Sequence, residues 1–151
     1  MSDIVIKVGL TEDMIGTIAE IEERCFTAPW SKGAFFDIMA NGYGYHFVTA
    51  WDGYTIVGFG CLGSVLDEAT VLNIATLPEM RRRGIGQKIL SELISEAKRR
   101  ECTVVMLEVR ESNLPARSLY EKNGFVTVGE RKNYYVNPTE NAVLMDKKLG
   151  K

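Results

Sequence analysis

The chain has 151 residues, with 20 acidic and 18 basic side chains and a net charge of −2. That length suits one domain, 1–151, rather than two, and the charge balance lacks the basic excess of a nucleic-acid-binding domain. A hydrophobic fraction of 46% is enough for a self-supporting core, and no apolar run reaches the ~20 residues of a membrane span.

"DIVIKVG" alternates and is β-branched, which predicts a first strand. Thr11 is placed to N-cap a helix over "EDMIGTIAEIEERCF", where Met14, Ile15, Ile18, Ile21 and Cys25 share a face. Pro29 breaks it. Ser31 then caps a short helix, "KGAFFDIMA", that stops at Asn41-Gly42, with Phe35 and Phe36 as core. "YHFVTAW" and "YTIVGFGCLGSV" form a hairpin about Asp52-Gly53. Gly58, Gly60 and Gly63 mark bulges or a close backbone approach in its second strand. "EATVLNIATL" is a fourth strand, ended by Pro78. Residues 85–100 form a helix whose stripe is Ile85, Ile89, Leu90, Leu93, Ile94 and Ala97. "TVVMLEV" is apolar almost throughout, as in a strand covered on both faces. A helix begins near Leu114 with Gly124 at its C′ position, and "FVTVGERKNYYV" and "AVLMDKKL" close the chain as a strand pair. The order β-α-α-β-β-β-α-β-α-β-β implies a parallel crossover inside a mixed sheet with helices on both faces.

Cys25, Cys61 and Cys102 are odd in number and widely spaced, and His46 is the single histidine. This pattern predicts reduced thiols, no zinc site and no other metal, in a cytoplasmic setting. "MSDIVIKVGL" has neither the basic start nor the apolar stretch of a signal peptide. His46 is assigned a structural role.

Where chemistry is concentrated is "RRRGIG", residues 81–86, at the start of the 85–100 helix. A helix N-terminus offers free N–H groups and the positive end of a dipole, and glycine lets the backbone approach an anion. Strand, glycine loop and helix together make a phosphate cradle. A P-loop fails here, because no hydroxyl follows Lys88 and the glycine spacing is wrong. A dinucleotide fingerprint fails too, since it demands glycine where Ile89 stands. The pattern [QR]-x-x-G-x-[GA] fits Arg81-Arg82-Arg83-Gly84-Ile85-Gly86.

Together with "LDEATVLNIATLPEM", "LEVRESN", "LYEKNGF" and "RKNYY", this loop resembles the GNAT (Gcn5-related) N-acetyltransferases. Within them it is most similar to the bacterial ribosomal-protein alanine N-acetyltransferases, the RimI type, over roughly residues 3–148. The resemblance implies an α/β fold: a mixed, centrally splayed β-sheet of about seven strands with helices on both faces. It implies acetyl-CoA as co-substrate, its pyrophosphate cradled by backbone N–H groups of the Arg81–Gly86 loop (Arg81, Arg82, Arg83, Gly84, Ile85 and Gly86). Its pantetheine arm would lie in the splay against backbone groups of Ile74, Ala75 and Thr76. Asn113 would be a further coenzyme contact, or an N-cap, or both.

Acetyl transfer from a thioester to an amine needs a proton acceptor for the amine, a donor for the developing oxyanion and a proton for the leaving thiolate. By the resemblance Glu108 is the acceptor, acting through water, and Tyr120 the proton donor; read alone, they are a strand-end charge and a core tyrosine. The N–H of Ala75 or Thr76 is the candidate oxyanion donor. Trp30, Tyr134 and Tyr135 either flank the peptide entrance or pack in the core. The implied acceptor is the N-terminal alanine of a small-subunit ribosomal protein, with Asp67, Glu68 and Glu140 drawing in the basic peptide behind it. A small-molecule amine as acceptor, or a non-catalytic acetyl-CoA-binding adaptor, are the alternatives. The enzyme is expected to be a monomer or weak homodimer that binds neither nucleic acid nor membrane.

Overall fold

The computed structural model describes residues 3–40 and 42–150. In chain order these form β1 (Ile4–Val8), α1 (Ile15–Cys25), α2 (Lys32–Ala40), β2 (Tyr45–Asp52) and β3 (Thr55–Val65). Then come β4 (Glu68–Thr76), α3 (Ile85–Arg99), β5 (Val104–Arg110), α4 (Leu114–Lys122), β6 (Val126–Tyr135) and β7 (Glu140–Lys148). Short 3-10 turns at Glu12–Met14 and Pro78–Met80 precede α1 and the basic loop. One seven-stranded sheet runs β1-β2-β3-β4-β5-β7-β6. β4 and β5 are parallel, and every other neighbouring pair is antiparallel.

Two apolar clusters sandwich the sheet. On one face Ile15, Ile18 and Ile21 of α1 and Phe35 of α2 pack against Phe47, Ile56, Phe59 and Ala75. The opposite face carries all six stripe residues of α3 together with Tyr120 of α4 and Phe125. The bare surface of β3 lets α3 lie close. A Cβ on Gly60 would sit 2.5 Å from Ile89 Cγ2, and one on Gly58 would sit 2.9 Å from the Ala75 carbonyl oxygen.

Most local expectations hold at their signal residues. The Ser31 hydroxyl accepts the Ala34 N–H at 3.1 Å, and Asn113 Oδ1 accepts that of Ala116 at 3.2 Å, so both cap their helices. Gly53 and Gly124 take the positive φ their turns require, 63° and 90°. Three expectations change. Thr11 does not cap α1: a 3-10 turn intervenes, and its hydroxyl bonds the Asp13 carboxylate instead. Phe36 is exposed, because α2 is only nine residues long and turns Phe35 alone into the core. β5 is fully buried on one face only: Val105, Leu107 and Val109 are buried, while Val104, Met106 and Arg110 are half-buried and Glu108 is exposed. The apolar Met106 made the strand read as buried on both sides. Of the Asn41-Gly42 stop, Asn41 lies outside the described residues.

Candidate active site

The sheet opens between β4 and β5. Their parallel pairing covers only Glu68–Val104, Ala69–Val105 and Thr70–Met106, yet β4 runs on to Thr76 and β5 to Arg110. The unpaired stretch of β4 has a definite polarity. Leu77 N–H bonds the Val57 carbonyl at 2.9 Å, which makes that pair, and by alternation the Phe59–Ala75 pair, hydrogen-bonded across β3 and β4. Backbone groups of Ile74 and Thr76 therefore point away from β3, into the opening. Ala75 spends its own on β3, and the Thr76 carbonyl already accepts the Cys25 thiol at 3.4 Å, so Ile74 and the Thr76 N–H are the groups left facing the opening.

At the mouth of this opening stands the basic loop. Arg82 and Gly84 both adopt positive φ, 68° and 76°. The first helical bond of α3 runs from Lys88 N–H to the Gly84 carbonyl, 3.1 Å, and no side chain caps the helix. Ile85, Gly86 and Gln87 thus keep N–H groups ahead of the helical ladder. Nothing lies within 4 Å of a Cβ built on Gly84, so open space faces the loop. Arg82 and Arg83 are exposed, while Arg81 reaches back to Cys25 Sγ at 3.6 Å. An extended arm with amides and a pyrophosphate at its end, as in acetyl-CoA, fits both features: an open strand edge and an uncapped glycine-bearing helix start.

Glu108 and Tyr120 lie on opposite faces of the sheet. Leu107 and Val109 belong to the apolar cluster that also holds Tyr120, so Glu108, alternating with them, faces the α1–α2 side. Its carboxylate is 33% exposed and pairs with Arg131 Nε at 3.0 Å. Tyr120 is buried, with its ring edge-on to Phe125 at 5.7 Å. Burial first, and Tyr135 second, push its hydroxyl up to about 12, above the ordinary tyrosine value assumed from sequence. Tyr135 links the two: burial and then the Glu108 carboxylate push its own hydroxyl up to about 12. Tyr134 lies edge-on to Tyr135, 5.1 Å between centroids, and under Arg131.

Other expected residues divide. Trp30 is half-buried, 5.4 Å from the Phe35 ring, and its other side lines an open cavity of about 440 Å³ with Gly16, Ala19, Glu20 and Glu23. Asp67 and Glu68 stand at the paired end of β4, beside Thr103 and Val104, and not at the opening. Glu140 is near the opening but already engaged, accepting the Ser112 N–H at 2.6 Å and pairing with Arg110 at 3.1 Å. His46 bonds Ser64 Oγ and Arg100 at the C-terminal end of α3, a structural use.

Sequence reading missed Glu22. Its carboxylate is 2% exposed, and burial raises its pKa. It accepts Asn73 Nδ2 at 2.6 Å and the Trp30 N–H at 3.0 Å, fastening the 26–31 loop to β4. The only sequence signal was a glutamate placed one residue beyond Ile21 on the apolar side of α1. Arg110 was likewise passed over within "LEVR". Among the described residues no group of three or more His, Cys, Asp or Glu side chains is placed to hold a metal ion.

Known proteins resemble this chain in sequence and in fold. The pattern of the acetyltransferase (GNAT) family matches residues 15–125. The ribosomal protein bS18-alanine N-acetyltransferase of Haemophilus influenzae is 43% identical over 131 residues, 83% of this chain and 86% of that one. A crystal structure of the ribosomal-protein-S18-alanine N-acetyltransferase from Escherichia coli superposes with a TM-score of 0.89. It is 33% identical and covers 99% of this chain and 96% of its own. The fold is also that of yncA from Salmonella typhimurium, solved with its cofactor acetyl-CoA (TM-score 0.87, 17% identity, 99% and 96% coverage). On the fold, the opened strand pair and these likenesses, the chain belongs to the GNAT family and is an acetyl-CoA-dependent N-acetyltransferase.

Proposed function

We propose that this enzyme acetylates the α-amine of an N-terminal alanine on a small-subunit ribosomal protein, in the cytoplasm. The observation that supports the chemistry is Glu108 standing on the stretch of β5 unpaired with β4, on the face opposite the cluster that holds Tyr120, with Tyr135 electrostatically coupled to both. The acceptor is supported by the two relatives above, both named for alanine acetylation of the S18 ribosomal protein.

Acetyl-CoA supplies the acyl group as a thioester, already activated toward an amine. N–H groups of the Arg81–Gly86 loop, from Arg82 on, hold its pyrophosphate, and the splay-facing groups of Ile74 and Thr76 hold the amide-bearing arm. Asn113, besides capping α4, is a further contact for the coenzyme. Glu108 takes the proton that the ammonium must lose, with a water bridging where the amine stands off. Thr76 N–H, directed into the opening, stabilises negative charge on the acyl oxygen. Tyr120 presents its hydroxyl to the departing sulfur. Raised to about 12, that hydroxyl keeps its proton throughout the working range. Trp30, Tyr134 and Tyr135 line the side from which the peptide arrives.

An α-amine suits this equipment. Its pKa is ~7.7–8.0 against ~10.4 for lysine, so lysine deprotonation is ~3.4 kcal/mol harder. Given a peptide that begins with alanine and contains lysines, the enzyme should place its acetyl group on the α-amine alone. Fragmentation mass spectrometry reads the position, and predominant lysine acetylation would discard the N-terminal assignment. The rate at subsaturating peptide should rise between about pH 6 and 8 as the α-amine loses its proton. It should not fall again by pH 9.5, because Tyr120 and Tyr135, both near 12, stay protonated there.

Coenzyme binding has its own test. Acetyl-CoA at ~100 times its Kd should raise stability by ~2.7 kcal/mol, and NAD should not. Gly84→Val should erase that thermal shift. Its side chain would occupy the open space before the loop and strain a residue held at φ 76°. A full shift in the variant would move the pyrophosphate elsewhere.

A further inference from the structure

We infer that Arg110 is a positioning residue that sets the acceptor slot by fastening the loops on either side of it to the end of β5. This rests on the peptide-acceptor reading above. Arg110 lies two residues after Glu108 and faces the same side of the sheet. Its Nη1 donates to the Pro138 carbonyl and to Glu140 Oε2, both at 3.1 Å. Its Nη2 donates to the Val136 carbonyl at 2.9 Å and to Thr27 Oγ1 at 3.1 Å. The guanidinium also covers the Tyr135 ring at 4.5 Å. Glu140, held on one oxygen by Arg110, takes the Ser112 N–H on the other, next to Asn113.

One side chain therefore ties together three segments: the 26–31 loop that carries Trp30, the β5–α4 loop and the β6–β7 turn beside Tyr134 and Tyr135. Among the described residues, the Arg110–Thr27 bond is the one hydrogen bond that joins the 26–31 loop to the β5 end and the β6–β7 turn. A planar fork with several fixed donors can hold such divergent acceptors, whereas the point charge of lysine cannot. Its effect is preorganisation: the walls are set before the peptide arrives, so binding does not have to order them. Glu108 and Tyr120 lie outside these bonds, so the chemical step keeps its groups.

The test compares wild type with Thr27→Val, Arg110→Lys and the double variant. Each is assayed with an alanine-ended hexapeptide and with alaninamide, which is too short to reach the walls. Thr27→Val, nearly isosteric, should raise the hexapeptide KM by about 10–150-fold, the range for a lost bond from a charged donor. Values of kcat, of KM for acetyl-CoA and of KM for alaninamide should stay near wild type. Arg110→Lys should raise the hexapeptide KM at least as much, and adding Thr27→Val should add almost nothing, because the two share one interaction. Hexapeptide KM values unchanged in both single variants, with wild type active, would overturn the role of Arg110 alone. So would a uniform loss of kcat on both acceptors, the mark of general destabilisation. Wild type inert on the hexapeptide but active on alaninamide would overturn the peptide-acceptor reading and this role with it.

Discussion

Glu108→Gln is expected to lower kcat by ~10²–10⁴-fold, the range for loss of a general base. The substitution keeps shape and burial and removes only the ability to take a proton. Glu108 is 33% exposed on β5, and its strand partner Leu144 on β7 is unaffected, so the fold should be preserved. The one bond lost is the 3.0 Å pair with Arg131, a residue itself 60% exposed, and such exposed pairs contribute little to stability. Acetyl-CoA affinity should be retained, since the open edge of β4 and the 81–86 loop do not involve Glu108. A second signature separates base from bystander. Raising the pH deprotonates the α-amine in solution, so the deficit of the variant should narrow above pH 8. A steady-state pH profile on the alanine peptide measures both. Equal rates at neutral pH would remove Glu108 from this role.

Tyr120→Phe should cost a comparable ~10²–10⁴-fold in kcat for a different reason. The variant retains the ring that packs against Phe125 at 5.7 Å and loses one oxygen. That hydroxyl makes no hydrogen bond to another described residue, so its removal orphans no partner and the melting temperature should hardly move. What disappears is the proton kept ready for the leaving sulfur. Single-turnover measurement of thiol release, beside a thermal shift with acetyl-CoA, distinguishes the outcomes. Slow release with intact binding is expected. Fast release would return Tyr120 to the core, the role its 9% exposure would otherwise suggest.

Composition and periodicity made much of the molecule legible. The α3 stripe, the Ser31 and Asn113 caps, the Asp52-Gly53 hairpin and the order of the elements are local properties. They follow from side-chain spacing and backbone preference within a few residues, so a linear reading reaches them. The glycines of β3 announced a close approach, and α3 makes it. Thr11 failed as a cap of α1 because Asp13 competes for its hydroxyl within the same turn. β5 failed as a doubly covered strand because burial of a face depends on what packs there, and nothing in "VVMLEVR" says that the sheet opens beside it.

The sequence by itself therefore determined the elements, the anion-binding start of α3 and, through the resemblance of its motifs, the coenzyme and family. The tertiary structure alone decided which groups are free to act. Ile74 and Thr76 face the opening while Ala75 does not, because pairing parity is set across strands by the Leu77–Val57 bond. Glu108 and Tyr120, twelve positions apart, belong to opposite faces of the sheet, and Glu108 stands on the stretch of β5 that is left unpaired with β4 after Thr70. Glu22 binds Asn73, 51 positions away, Arg110 binds partners 26 to 83 positions away, and Asp67 and Glu68 stand at the paired end of β4. Long-range pairing fixes all of these, and it leaves no periodic trace in the chain.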